Sequence, residues 1–133
     1  MSYVLAIDQG TTSTRAIVFD KNLQIVASSQ KEIEQFFPFP GWVEHDLEEI
    51  YATVIATVRD AVKGAKISSQ DILSIGITNQ RETTAIWNAE TGQALSKAIV
   101  WQDRRTSEFC NELKKNGKER FYQGKTGLSL IHI

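Results

Sequence analysis

Apolar residues fall in short runs over the first third of the chain and then recur at helical spacing. Three β-rich runs come first, Tyr3–Asp8, Thr14–Phe19 and Gln24–Ile33, separated by Gln9-Gly10-Thr11-Thr12-Ser13 and by Asp20-Lys21-Asn22-Leu23. This spacing predicts an antiparallel meander. The first run is apolar nearly throughout, which predicts a central strand buried on both faces. The third alternates in part and ends in charge, as an edge strand does. Phe36-Phe37-Pro38-Phe39-Pro40-Gly41-Trp42 follows as an irregular loop, because its two prolines deny backbone donors and push the residues before them to extended geometry. Its four aromatics predict that it packs down. Asp46 then reads as an N-cap with Glu49 as its capping-box partner, and Leu47, Ile50, Tyr51, Val54, Ile55, Val58 and Val62 follow at helical spacing to a stop near Gly64. A second meander-like set is predicted at Ile72–Thr78, Thr84–Asn88 and Ala98–Trp101, with a turn at Glu90-Thr91-Gly92. Arg105 to Asn116 reads as another helix, closed by Gly117. The order predicts an α/β fold, a mixed sheet with helices against it, rather than a helical bundle or a sandwich.

The chain has 133 residues, 41% hydrophobic and 23% charged, which excludes disordered, collagenous and coiled-coil classes and leaves room for a real core. Lys and Arg number 15 against 16 Asp and Glu, for a net charge of −1. Nothing in that balance attracts a nucleic acid or an anionic membrane, so neither partner is expected and any anion site must be local. Cys110 has no second Cys to pair with, which suits a reducing compartment. The opening run Tyr3-Val4-Leu5-Ala6-Ile7 is too short for a signal peptide or a membrane span, and the protein is expected in the cytoplasm.

The strongest local signal is Asp8-Gln9-Gly10-Thr11-Thr12-Ser13-Thr14-Arg15, between the first two predicted strands. A tight turn can aim backbone N–H groups at one anion, since Gly10 lacks the Cβ that would block close approach. The hydroxyls of Thr11, Thr12 and Ser13 add donors. Asp8 is placed to hold hydrated Mg2+, and Arg15 to neutralise phosphate as a planar fork. A plain hairpin rich in turn formers, with Asp8 in an Asx-turn, accounts for the same residues.

A second cluster, Thr78-Asn79-Gln80-Arg81-Glu82-Thr83-Thr84, follows an apolar strand, where ligands of α/β sheets collect. Arg81 and Glu82 would offer a polyhydroxylated substrate both donors and acceptors, or form an ordinary solvated pair in a turn. In Val100-Trp101-Gln102-Asp103-Arg104-Arg105 the aromatic ring could cover the C–H face of a small polyol, or be core. Gly124-Lys125-Thr126 mimics the tail of a P-loop but lacks the earlier glycine and a preceding strand, so it is set aside. His45 and His132 are isolated and read as surface or satisfied histidines rather than ligands.

Together these clusters resemble the amino-terminal domain of the FGGY carbohydrate kinases, within the actin, Hsp70 and hexokinase ATPase fold, over Tyr3 to about Leu128. Asp8-Gln9-Gly10-Thr11-Thr12 resembles the family's first phosphate motif. Gly41-Trp42-Val43-Glu44-His45-Asp46, Gly76-Ile77-Thr78-Asn79-Gln80-Arg81-Glu82-Thr83 and Trp101-Gln102-Asp103-Arg104-Arg105-Thr106 resemble its glycerol-phosphorylating branch. The resemblance implies a ribonuclease H-like mixed sheet with flanking helices. It implies that Gly10, Thr11, Thr12, Ser13 and Arg15 hold the phosphates of ATP, with Asp8 near Mg2+ through water. Arg81 and Glu82 would hold glycerol hydroxyls and Trp101 its carbon side. The implied activity is ATP-dependent phosphorylation of glycerol to sn-glycerol 3-phosphate, by a homo-oligomeric enzyme.

Members of that family run on for several hundred residues, with the catalytic-base aspartate, the adenine pocket and a second domain. Residues 1–127 are therefore expected to form an incomplete amino-terminal domain without a catalytic residue of its own and with little turnover. Residues 128–133 are expected to be a non-native tail, since Leu128 to Ile133 reads back as CTG-TCT-CTT-ATA-CAC-ATC, a transposon-end adapter, and Ile133 stands where the family has a glycerol-contacting tyrosine. Another FGGY polyol or pentulose kinase, and a non-catalytic ATPase-fold binding module, are the alternatives.

Overall fold

Alternation along the first strand sets the architecture of residues 2–130, which the computed structural model describes. The chain forms two compact units, Met1–Gln35 with His45–Gln80, and Phe36–Glu44 with Arg81–Ile133. In the first, β1 (Tyr3–Gln9), β2 (Ser13–Phe19), β3 (Ile25–Glu32) and β5 (Ile72–Thr78) make one sheet in the order β3-β2-β1-β5, and β4 (Glu44–His45) is a two-residue strand outside it. The first three are the predicted antiparallel meander. β5 does not open a second meander: it joins the same sheet, parallel to β1. A parallel neighbour needs a long crossover, and α1 (Leu47–Gly64) supplies it.

β1 is central, as predicted, but it is buried on one face only. Leu5, Ile7 and Gln9 are buried, whereas Asp8 between them is exposed. The reason is that one helix covers one face. Leu5, Ile7, Ala16, Val18 and Ala61 form the buried cluster, with Val54 and Val58 of α1 packed against it. Ala16 and Ala61 have no exposed surface, and their small side chains let helix and sheet approach closely. On β5, Leu73, Ile75 and Ile77 remain 73%, 58% and 72% exposed. The register pairs Ile75 with Leu5 and Ile77 with Ile7, so they continue the core face without being covered. Asp46 caps α1 by accepting from Glu48 N and Glu49 N. The Glu49 carboxylate accepts from Glu34 N–H, so it ties the end of β3 to α1 where a capping box was predicted.

In the second unit, the aromatic loop packs down at Phe36, under Lys97 Nζ at 3.4 Å, and at Trp42, which meets Phe39 edge-on at 5.0 Å. Phe37 and Phe39 stay 67% and 60% exposed, against expectation. β6 (Ala98–Ile99) runs beside Val43–Glu44, where Val100 N–H donates to Val43 O. The strand predicted at Thr84–Asn88 is absent. Only single bridges form, Thr84 to Ile99 and Trp87 to Ala94. The Asn88 side chain accepts from Glu90 N and Thr91 N, and this local turn takes up backbone groups that a longer ladder would use. α2 (Ser107–Lys115) lies within the predicted helix and ends at Gly117, φ +66°. α3 (Glu119–Thr126), not predicted, is closed by Gly127 at φ +75°. It contains Gly124-Lys125-Thr126, so that segment is helical rather than a phosphate loop.

Burial separates two tests of this packing. Leu5→Ala is expected to cost about 2–5 kcal/mol of unfolding free energy, whereas Ile77→Ser on the uncovered strand should stay within about 0.5 kcal/mol of wild type. Urea denaturation followed by circular dichroism measures both, and equal losses would contradict the one-sided core.

Candidate active site

The turn between β1 and β2 is closed by Gly10 N–H donating to Ser13 O at 2.9 Å. A Cβ on Gly10 would stand 3.1 Å from that same oxygen, so the tight turn itself requires glycine here. The Gly10 N–H is thereby occupied in the turn and is not one of the donors aimed at an anion. The register pairs Asp8 with Arg15 across β1 and β2, and Asp8 with Thr78 across β1 and β5. Both Asp8 and Arg15 have the parity of the open face. Thr14 has the other: fully buried, it bonds Thr53 Oγ1 on α1 at 3.0 Å, and Thr53 in turn donates to Ile50 O.

Gln30, on β3 opposite Arg15, links the turn's polar groups. Its Oε1 accepts from Arg15 Nε at 2.9 Å and Nη2 at 2.6 Å, while its Nε2 donates to Ser13 Oγ at 3.1 Å. Sequence reasoning missed Gln30, although a meander register would have set it beside Arg15. Among the described residues no three His, Cys, Asp or Glu side chains gather to hold a metal. Exposed Asp8, a single carboxylate, fits a cation that keeps most of its own water, as Mg2+ does.

Clefts of about 740 Å³ and about 300 Å³ in the second unit share Glu82, Trp101, Asp103 and Thr106 in their walls. The structure thus brings together Glu82 and Trp101, which the sequence assigned to one ligand. Arg81 is exposed and lines neither cleft. Trp101 is 52% exposed, which excludes the core reading of that ring. Glu82 has φ +65°, in the left-handed region where a side chain costs about 1–2 kcal/mol. Strain of that kind persists where the surroundings impose it, and it clusters at ligand sites.

Behind the clefts lies an ion-pair cluster that the motif contained but that was assigned no role. Asp103, its side chain 3% exposed, accepts from Arg105 N, Nε and Nη2 and from Val43 N. Arg105 Nη2 also meets Glu44 Oε1 at 2.8 Å, and its guanidinium stacks 3.6 Å over Trp42. Burial pushes the Asp103 carboxyl up, but the hydrogen bonds from Arg105 and Val43 outweigh it and hold the group below the usual carboxylate range. The bonds to Asp103 raise the Arg105 guanidinium further still.

His45, in the first unit, is fully buried rather than at the surface. Its Nδ1 lies 3.2 Å from Gln80 Nε2, and its Nε2 has no partner among the described residues. Burial lowers its pKa, with the charge of Glu49 and the Gln80 hydrogen bond working against that shift. His132 and Ile133 lie outside the described residues.

The first unit carries a central mixed sheet with a glycine-closed turn at its strand ends, and the second an acidic, aromatic cleft; solved kinases of the actin, Hsp70 and hexokinase ATPase fold share this architecture. The model of the FGGY family of carbohydrate kinases, N-terminal domain, matches residues 3–133, and the chain belongs to that family. It is 59% identical over 128 residues to a glycerol kinase of Rhizobium meliloti (strain 1021), covering 96% of this chain and 26% of the relative. A crystal structure of Plasmodium falciparum glycerol kinase with ADP superposes at TM-score 0.86 with 38% identity, over 98% of this chain and 26% of that one. A ligand-bound xylulose kinase from Lactobacillus acidophilus does so at 0.89 with 25% identity, over 98% and 26%. The chain thus spans about a quarter of the length of the curated relatives it matches.

Because the fold keeps His45 neutral, acid favours the unfolded chain, whose histidine takes up a proton near about pH 6.5. Stability is complete above that pH and is lost as pH falls through it toward the lower folded value. The urea midpoint is expected to drop between about pH 7.5 and about pH 5.5, and by less in His45→Gln. Parallel pH dependence of the two proteins would contradict a neutral buried His45.

Proposed function

We propose that this chain is the amino-terminal domain of an ATP-dependent glycerol kinase, which transfers the γ-phosphoryl of ATP to a primary hydroxyl of glycerol and yields sn-glycerol 3-phosphate. The observation that carries the reading is Glu82, held in a strained backbone conformation in the wall of a cleft it shares with an exposed Trp101. The high identity to glycerol kinases over nearly the whole chain supports it.

On this reading the carboxylate of Glu82 accepts hydrogen bonds from glycerol hydroxyls, and the neighbouring Arg81, which lines neither cleft, would have to turn toward the ligand to donate to them. The Trp101 ring covers the C–H side of the polyol. In the first unit, Thr11, Thr12 and Ser13 donate hydroxyls to the phosphates, Gly10 keeps the turn tight, and Arg15 exchanges its bond with Gln30 for phosphate oxygens. Asp8 would hold Mg2+ through water, and that ion, when bound, neutralises phosphate charge. Phosphoryl transfer of this type is positioning plus charge stabilisation, which suits a site of fixed donors. The base that accepts the hydroxyl proton is expected from the part of the relatives' length that this chain does not span. The reading also implies a cytoplasmic homo-oligomer. No helix among the described residues is long and apolar enough to cross a membrane.

A pentulose is the second reading, favoured by the size of the larger cleft and by the likeness to a xylulose kinase. Calorimetric titration with glycerol and then with xylulose distinguishes the two. Glycerol is expected to bind, and Glu82→Gly to abolish the signal while the melting temperature holds or rises, since glycine relieves the strain at φ +65°. Undiminished glycerol binding by Glu82→Gly would overturn the assignment, and heat from xylulose alone would move it to the pentulose kinases.

A further inference from the structure

We propose that Asp103 is the positioning residue of the acceptor cleft: it sets the turn that presents Trp101 to the ligand, without touching the ligand itself. The inference rests on the reading of Trp101 as the wall of the polyol site.

Trp101 and Gln102 are the two central residues of a turn closed by Asp103 N–H donating to Val100 O at 2.8 Å. One end of that turn is anchored by Val100 N–H on Val43 O. The other end is anchored by the Asp103 side chain, whose Oδ2 accepts from Val43 N at 2.7 Å, and by Arg104 N–H on Gly41 O at 2.8 Å. Both ends of the turn therefore hang on the segment Gly41–Val43, which holds the backbone that carries the indole.

Although Asp103 lies in the walls of both clefts, its carboxylate is already saturated. Oδ1 accepts from Arg105 N and Nε at 2.8 and 2.9 Å, and Oδ2 from Val43 N and Arg105 Nη2 at 2.7 and 2.8 Å. A carboxylate offers about four acceptor positions, so none is left for a substrate hydroxyl. Among the described residues, Glu82 has no such set of donors around it in the same walls. The two acids of the cleft thus divide the work, one for the ligand and one for the scaffold. Arg105 completes the scaffold, because its bond to Glu44 and its stack on Trp42 hold the fork that grips Asp103.

An amide cannot replace this carboxylate. In either orientation of an asparagine side chain, its NH2 would face two N–H donors, and Arg105 would lose a buried counter-charge. The test is Asp103→Asn in this chain, read by the indole N–H signals of 15N-labelled protein, with Trp101 assigned through Trp101→Phe. The Trp101 signal is expected to shift or broaden, while the Trp87 indole and the amides of β1 and β2 stay in place. Glycerol affinity is expected to fall at least about tenfold. Arg105→Lys keeps the charge but loses the two-pronged grip, and should move the Trp101 signal in the same direction by less, which holds the test should Asp103→Asn not fold. A Trp101 signal that coincides with wild type in the folded variants would overturn the proposal, as would a shift spread evenly over both units. If wild-type chain takes no glycerol while the Trp101 signal still moves, the glycerol reading falls and the positioning role of Asp103 stands.

Discussion

Packing of α1 across Leu5, Ile7, Ala16 and Val18 commits one face of β1 and β2 to the interior, and the chemistry of the first unit follows from that commitment. Side chains alternate along a strand, so a residue that is not under the helix faces away from it. Asp8 and Arg15, paired in register, lie on the open face because Ile7 and Ala16 beside them are buried. Thr14 falls on the closed face and is absorbed into hydroxyl contacts with α1. A slip of one residue in this pairing would bury a carboxylate and a guanidinium and expose the core. The turn glycine protects against that slip, since the close approach of Gly10 to Ser13 leaves little slack.

The second unit uses a different source of order. Its strands are short, and many of its large apolar side chains, among them Ile86, Trp87, Leu95 and Phe109, are more than half exposed. A largely buried acid–base cluster takes the place of a broad core. Asp103, Arg105 and Glu44 satisfy one another together with backbone N–H groups, which is the condition under which buried charges are tolerated. Hydrogen bonds are directional where apolar contacts are not, so such a cluster fixes the geometry of the segments it joins. Glu82 shows the cost of that precision, in a backbone conformation that a residue with a Cβ adopts reluctantly.

Much of this was legible in the residues themselves. The meander of β1 to β3, the cap at Asp46, the stops at Gly64 and Gly117 and the tight turn at Gly10 depend on local sequence, and each was found where its pattern lay. The failures share a cause. The strand predicted at Thr84–Asn88 has β-forming residues, but Asn88 opens a turn at its end and the ladder never extends. Phe37 and Phe39 are apolar enough to be core, yet no element covers them. β5 was identified as a strand to the residue, but its partner was not, since pairing depends on where the crossover returns.

The sequence by itself determined the period of each element, its caps and turns, and the residue types of the site, because these depend on neighbours within a few positions. Only the tertiary structure decided that β5 lies parallel to β1, that Gln30 grips Arg15, that Glu82 is strained beside Trp101, and that Asp103 is used up by Arg105 and Val43. Apart from the Arg105–Asp103 pair, which is two positions apart, those facts join residues 15 to 70 positions apart, and no local pattern encodes which distant partner a carboxylate or a strand edge will meet.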